Sequence, residues 1–402
     1  MEYNPLDPAT KRDPYPAYAY LRQEHPVYRI EPLGGVYALS RYDDVNFALN
    51  HPELFSSTGF TETRIHEEDG PVTMLIFADP PDHTRLRNLV NRGFTPKMIA
   101  DLEPRIREVT RELIDRIVAQ GETDLIADLA MPLPTTIIAE ILGVGPERKD
   151  DFKRWSDWIV REFLQPIPEE EKEAQQRDMT AFTEYFEAVV EDRRASPQDD
   201  LISALVRAET EQQALTPHEL LVFIILLLVA GNETTTNLIG NAIVTLLEHP
   251  DQLDVLRADP SLLPNAIEEV LRYEAPVQFL LRRATQDVEI GGATIPQGSM
   301  TTLLFASANR DGRRFPDGER FDITRDAQGH VAFGHGIHFC LGAPLARLEG
   351  RIALEEVLSR LPGLARAEDD IELVDALFLR GPKRLPLTFT PAAVSPAAGA
   401  RS

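Results

Sequence analysis

The 402-residue chain contains one cysteine, Cys340, in the stretch FGHGIHFCLGAPLAR, residues 333–347. Leu345, Leu348, Ile352, Val357 and Leu361 follow at helical spacing, so a helix is predicted to start just after the thiol, with Pro344 in its first turn. A thiol beside a helix N-terminus is favoured as thiolate, and a thiolate is a strong ligand for soft metals and iron. Gly334, Gly336 and Gly342 would let the backbone adopt φ > 0 and approach a flat group closely, and Phe333 and Phe339 could pack on an aromatic face. One cysteine cannot build a zinc cluster, which leaves haem as the natural single-thiolate cofactor. Taken alone, the residue also suits the role of a small buried hydrophobe.

Three further stretches carry candidate chemistry. In AGNETTT, residues 230–236, an apolar helix pattern ends in a polar turn holding one carboxylate, Glu233. Threonine hydroxyls there can bond back to a carbonyl one turn earlier and bend the helix. Glu233 is then either a costly buried acid or a solvated surface one. In AIEEVLRYEAP, residues 266–276, Glu269 and Arg272 share a helix face, the spacing of an ordinary ion pair. In DPPDHTRLRNLVNRGFTPK, residues 79–97, His83 and Arg87 stand at i and i+4. Arg85, Arg87, Arg92 and Lys97 form a run without an acid, which suits an anionic ligand or a solvated basic face.

The elements that must position these residues are mostly helices. Period-3.6 patterns cover about 98–119, 146–163, 170–193, 217–249, 261–274 and 343–361. The central one opens with Thr216-Pro217-His218-Glu219, a capping box with proline at N1, and stops at Pro250. Its length is about 50 Å at 1.5 Å per residue. Short strands are predicted in HPVYRI and VYALS around Gly34-Gly35, in DVEIGGATI, and in RLPLTFT. The expectation is one α-rich domain with a small β portion over 1–390 and a disordered tail over 391–402. The 41 basic and 65 acidic residues give a net charge of −24, which disfavours nucleic acid or an anionic membrane as partner. A lone cysteine excludes an intramolecular disulfide. The N-terminus lacks an apolar signal core, and the apolar run 220–230 is too short to span a bilayer, so a cytoplasmic protein without a membrane anchor is expected.

Taken in order, the four stretches resemble the cytochrome P450 superfamily, particularly its soluble bacterial members. FGHGIHFCLG is similar to the haem-loop pattern FGxGxHxCxG, AGNETT to the oxygen-activation motif, and EVLR to the ExxR motif. FASANRDGRRFPDGERFD, residues 305–322, fits the segment before the haem loop. The resemblance implies a helix-rich prism with haem b between a long central helix and the cysteine loop. It implies Cys340 as axial thiolate, pushing electron density onto iron. It implies His83, Arg87, Arg282 and His338 at the haem propionates, with Ala230, Gly231, Phe333 and Gly342 also against the cofactor. Glu233 and Thr234 match the acid–alcohol pair of proton delivery. Glu269 and Arg272 match a buried structural network completed by Arg320.

The same resemblance implies a monooxygenase, monomeric, that hydroxylates or epoxidises a lipophilic small molecule with O2. Electrons would come from NAD(P)H through a ferredoxin reductase and a ferredoxin, which is typically acidic. Arg85, Arg92 and Lys97, with Arg347 and Arg351, form the expected docking face. Substrate positions are expected in 59–78, around 162–180, in Leu227–Thr235, in Val277–Leu281 and near Phe378-Leu379. Phe279, Leu280 and Leu281 suit a fatty acid, terpenoid, steroid or macrolide-type polyketide. A peroxide-driven enzyme would not need the Glu233–Thr234 pair, and a haem carrier would need neither proton route nor docking face.

Overall fold

The computed structural model describes residues 3–59, 72–164, 167–207 and 215–390. The expected tail over 391–402 and part of the expected substrate segment, 60–71, lie outside the described residues.

The long helix forms as its cap dictates. Thr216 accepts from the Glu219 N–H at 3.1 Å, and Glu219 accepts from the Thr216 N–H at 2.8 Å. The helix then runs Pro217–Glu248, with His249 as C-cap and Pro250 opening the next helix. It is the one helix among the described residues long and apolar enough to cross a membrane, and 56% of its apolar window is buried inside the protein. The helices Pro132–Ile141, Lys149–Leu164, Leu263–Tyr273 and Ala343–Arg360 pack around it. One apolar cluster joins these helices, running from Leu75 to Phe389.

The helix is assigned without a break through the polar turn at 230–236. Thr234 does bond back, its Oγ1 donating to the Ala230 carbonyl at 2.5 Å. The polar turn survives among apolar helices because its amide is tied to both neighbours. Asn232 Oδ1 accepts from Thr135 Oγ1 at 2.7 Å, and its Nδ2 donates to Ser156 Oγ at 2.8 Å. Gly231 permits the contact, since a Cβ there would lie 2.5 Å from Ile138 Cδ1.

The β portion is larger and less local than expected. Val27–Ile30 and Val36–Leu39 form the expected hairpin, as do Val288–Ile290 and Ala293–Ile295. The first hairpin extends into a five-stranded sheet through Met300–Leu303, Leu280–Ala284 and Phe55–Ser56. Only the Val36–Leu39 to Met300–Leu303 pairing is parallel. Alternation along Leu280–Ala284 turns Arg282 and Ala284 inward, and Arg282 pairs with Thr301. The late strand, Pro386–Thr388, pairs with Glu122–Asp124 and Ala365–Arg366.

Candidate functional site

The cysteine loop is built by its own backbone. Gly334 (φ 67°) and Gly336 (φ 68°) take the left-handed conformation expected of them, whereas Gly342 does not. Gly342 is instead the N-cap of Ala343–Arg360, with φ −81°. Gly336 is further constrained, because a Cβ would lie 2.4 Å from the Leu49 carbonyl oxygen. The Cys340 N–H donates to the Phe333 carbonyl at 2.9 Å and closes the loop. Burial pushes the thiol pKa up, opposed by the N–H groups of Gly342 and Ala343 and by the charges of Arg87 and Arg347. Burial is the larger of these effects on the free thiol.

Four nitrogen-bearing side chains converge near this loop. His83, on the helix Asp82–Gly93, is 2% exposed, and its Nε2 has no hydrogen-bond partner among the described residues. Its ring lies 4.3 Å from that of His338, centroid to centroid. His338 Nε2 meets Ser57 Oγ at 3.0 Å. Arg87 donates to the Phe339 carbonyl at 2.8 Å. Arg282 is buried and donates to the carbonyl of its neighbour Leu281 at 2.7 Å. No described carboxylate forms an ion pair with Arg87 or Arg282. Burial lowers the Arg282 pKa to about 10, with Asp79 in partial opposition. Burial, then the charges of Arg282, His83 and Arg87, push His338 down to about 3. Burying a cation without a paired counter-charge is costly, so Arg282, which Asp79 offsets only in part, calls for a further anion. Ser57 and Asp79 carry no motif; Asp79 accepts from the Ser57 N–H at 2.9 Å.

On the central helix, Glu233 is partly buried, and burial followed by repulsion from Asp157 raises its pKa. Ala230 is exposed, while Gly231 and Thr234 are half-exposed. Phe333 is half-buried, and Val277 bridges to Leu379 as a single β-pair. Phe279 departs from expectation, since it packs in a core cluster with Tyr3, Tyr15 and Tyr18.

A family model described as Cytochrome P450 matches residues 6–389. The chain belongs to the cytochrome P450 family. Cytochrome P450 107B1 of Saccharopolyspora erythraea is 44% identical over 400 residues, 95% of this chain and 96% of that protein. Vitamin D(3) 25-hydroxylase of Pseudonocardia autotrophica is 44% identical over 388 residues, covering 94% of each. The solved structure of cytochrome P450 CYP109Q5 from Chondromyces apiculatus superposes with a TM-score of 0.89 at 44% identity, covering 97% of this chain and 98% of that one. This P450 is a monooxygenase, and haem b, bound in the family through a cysteine thiolate, is its cofactor.

The residues fit that cofactor. Haem b is a flat dianion at its edge, and the orphaned His83 Nε2 and the carboxylate-free Arg282 and Arg87 are the donors such an edge requires.

The network behind the site differs from expectation in one member. Glu269 and Arg272 are both fully buried, joined by bonds of 2.7 and 2.8 Å. The Arg272 guanidinium also reaches the carbonyls of Asn309 (2.8 Å), Gly318 (2.7 Å) and Arg320 (3.0 Å). Arg320 thus contributes its backbone only. The second guanidinium at Glu269 belongs to Arg325, at 3.4 Å. In an irregular loop the arginine that points inward is decided by backbone path.

The expected docking cations are already engaged. Arg85 pairs with Glu219, Lys97 with Asp101 (3.1 Å), Arg347 with Glu268 (2.6 Å) and Arg351 with Glu103 (2.9 Å). Within the basic run, Arg85 is paired with an acid from another segment, Lys97 with one a turn away, and Arg87 with none among the described residues.

Proposed function

We propose that this P450 hydroxylates or epoxidises a lipophilic small molecule, with Cys340 as the residue whose thiolate would hold the haem iron. The observation that carries this reading is the cluster of buried Arg282 and His83 with half-buried His338 and Arg87 near Cys340, in which no described carboxylate forms an ion pair with either arginine.

Bound haem b supplies the oxidising chemistry, activation of O2 and transfer of one oxygen atom to substrate. Cys340 would hold the iron, which would favour the thiolate over the buried thiol. Arg87, Arg282, His83 and His338 would hold the two propionates through charge-assisted hydrogen bonds. Glu233 keeps its proton to a higher pH than a solvated glutamate, because burial and Asp157 disfavour its anion, which suits it to pass a proton on. The Thr234 hydroxyl spends its own hydrogen on the Ala230 carbonyl. Its oxygen therefore presents lone pairs, and Thr234 accepts a hydrogen bond from a protonated oxygen of the reacting group.

Half-exposed Leu227, Val277, Leu280 and Leu281 supply apolar surface for substrate. The relative named for 25-hydroxylation of vitamin D(3) supports an apolar substrate of that size. Electrons come from NAD(P)H through a ferredoxin reductase and a ferredoxin, which docks on the face carrying Arg85, Arg92, Lys97, Arg347 and Arg351.

The test is a spin-state binding screen of steroids, terpenoids, fatty acids and macrolide-type polyketides, followed by mass analysis of products. Product formation with NADH, reductase and ferredoxin is expected, and faster than with peroxide. A reduced carbonyl adduct without the red-shifted Soret band of sulfur coordination would remove Cys340 from the iron. Ligand binding with no product under either electron supply would make the protein a carrier.

A further inference from the structure

A second charged cluster stands behind the cysteine loop. Glu268, adjacent to Glu269 on Leu263–Tyr273, is 8% exposed and points away from the Arg272 network. Its carboxylate receives the Arg347 guanidinium in two parallel bonds, Nε to Oε1 at 2.6 Å and Nη2 to Oε2 at 2.8 Å. His330 Nε2 meets Oε2 at 3.2 Å. The Ala332 N–H donates to His330 Nδ1 at 3.2 Å. Nδ1 is therefore an acceptor, which leaves Nε2 to face the carboxylate. Glu268 and Arg347 are the bidentate ion pair of the cluster. Burial pushes the Glu268 pKa up, but its bonds from His330 and Arg347 outweigh burial and hold it at about 2.

Arg347 has a second contact. Its Cζ lies 4.5 Å from the centroid of the Phe333 ring, within cation–π range. Phe333 is the residue whose carbonyl receives the Cys340 N–H. The positive charge of Arg347 is also one of those that lower the thiol pKa. A rigid strut therefore runs from the buried carboxylate through the guanidinium and the aromatic ring to the backbone of the cysteine.

We propose that Glu268 and Arg347 are positioning residues for the Cys340 thiolate, acting as a charge-balanced pair that clamps Phe333 and sets the field at sulfur. The proposal rests on Cys340 being the iron ligand. Sulfur donates electron density to iron, so the net charge of the pair biases the equilibrium between ferric and ferrous states. With the pair intact the two charges nearly cancel. Glu268→Gln keeps shape and hydrogen-bonding atoms but leaves Arg347 unbalanced, and a net positive charge favours taking up an electron. Arg347→Gln leaves the carboxylate unbalanced and disfavours it.

The experiment is a redox titration of the purified haem-loaded protein and of Glu268→Gln, Arg347→Gln and the double variant, with the reduced carbonyl spectrum of each. The wild-type spectrum first checks sulfur ligation on its own, so failure of that reading is seen separately. Glu268→Gln is expected to raise, and Arg347→Gln to lower, the ferrous-to-ferric ratio at fixed external potential, each by roughly threefold to tenfold, tenfold being about 59 mV for one electron. The double variant is expected to return near the wild-type value. A merely structural role would move both single variants in the same direction, or neither, and either result overturns the proposal. If one single variant takes up no haem, the sign of the shift in the other decides.

Discussion

At the scale of single residues, Cys340 was the most legible feature, because one thiol with a helix starting behind it leaves few chemical roles. Thr234 was legible as a back-bonding hydroxyl, and the structure shows that bond at 2.5 Å. Removing the hydroxyl leaves nothing there to accept a hydrogen bond during proton delivery. Thr234→Ala is therefore expected to keep substrate binding and electron consumption while diverting most electrons to hydrogen peroxide. The check is the ratio of product to NADH consumed, with peroxide assayed in parallel; a wild-type ratio would remove Thr234 from the proton route. What the sequence hid at this scale were partners brought by distant loops. Ser57 reaches His338, and Arg325 rather than Arg320 presents its side chain to Glu269, because backbone path alone decides both.

At the scale of elements, the helices carrying strong start signals were readable to within a few residues. Thr216, Pro217 and Glu219 announced the central helix, and Pro344 the one behind the cysteine. Pro132–Ile141 escaped notice because two prolines crowd its first turn and its sequence is apolar without clear period. Where elements meet, buried charge decides stability. Arg272→Ala would leave the Glu269 carboxylate at 0% exposure with Arg325 at 3.4 Å and the Asp322 N–H at 2.9 Å, an opened buried pair worth about 3–5 kcal/mol. We expect that variant to hold little haem per mole of protein, measured by the pyridine haemochrome, with its melting temperature lowered. Glu349 offers the converse case. Its carboxyl lies 1% exposed on Ala343–Arg360, and neither oxygen has a hydrogen-bond partner among the described residues. Burial raises its pKa from the ordinary 4.5 to about 8. Between those values the folded chain keeps a proton that the unfolded chain has released, so stability falls as pH rises through the window. Glu349→Gln removes that loss and is expected to stabilise the protein at pH 8 by on the order of 2–4 kcal/mol, with little change at pH 4.5. Urea unfolding at the two pH values checks it; an equal effect at both would assign the gain to packing.

At the scale of the whole molecule, the least legible feature was the five-stranded sheet, since Val36–Leu39 pairs with Met300–Leu303 across most of the chain. No local pattern encodes such a pairing, yet the sheet it builds turns Arg282 inward. The charge distribution is set in the same way. The basic run after Asp82 stands out against a net charge of −24, and acids from remote segments pair with Arg85 in that run and with Arg347 and Arg351 beyond the cysteine. Lys97 differs: its side chain is 86% exposed, and its pair with Asp101 is a surface pair one turn along a helix. Such a pair is worth well under 1 kcal/mol and exchanges readily for another carboxylate. An acidic ferredoxin approaching a strongly negative protein is repelled at long range and attracted only within about a Debye length, ~8 Å at 0.15 M salt, of cations that can change partner. Lys97 is then the cation best able to steer docking. Lys97→Glu is expected to slow ferredoxin-driven reduction several-fold at low salt, with the difference fading above about 0.5 M as screening removes the attraction. Stopped-flow reduction at several ionic strengths measures this. A wild-type rate that stays flat across them, or a variant indistinguishable at low salt, would move the docking site away from this face.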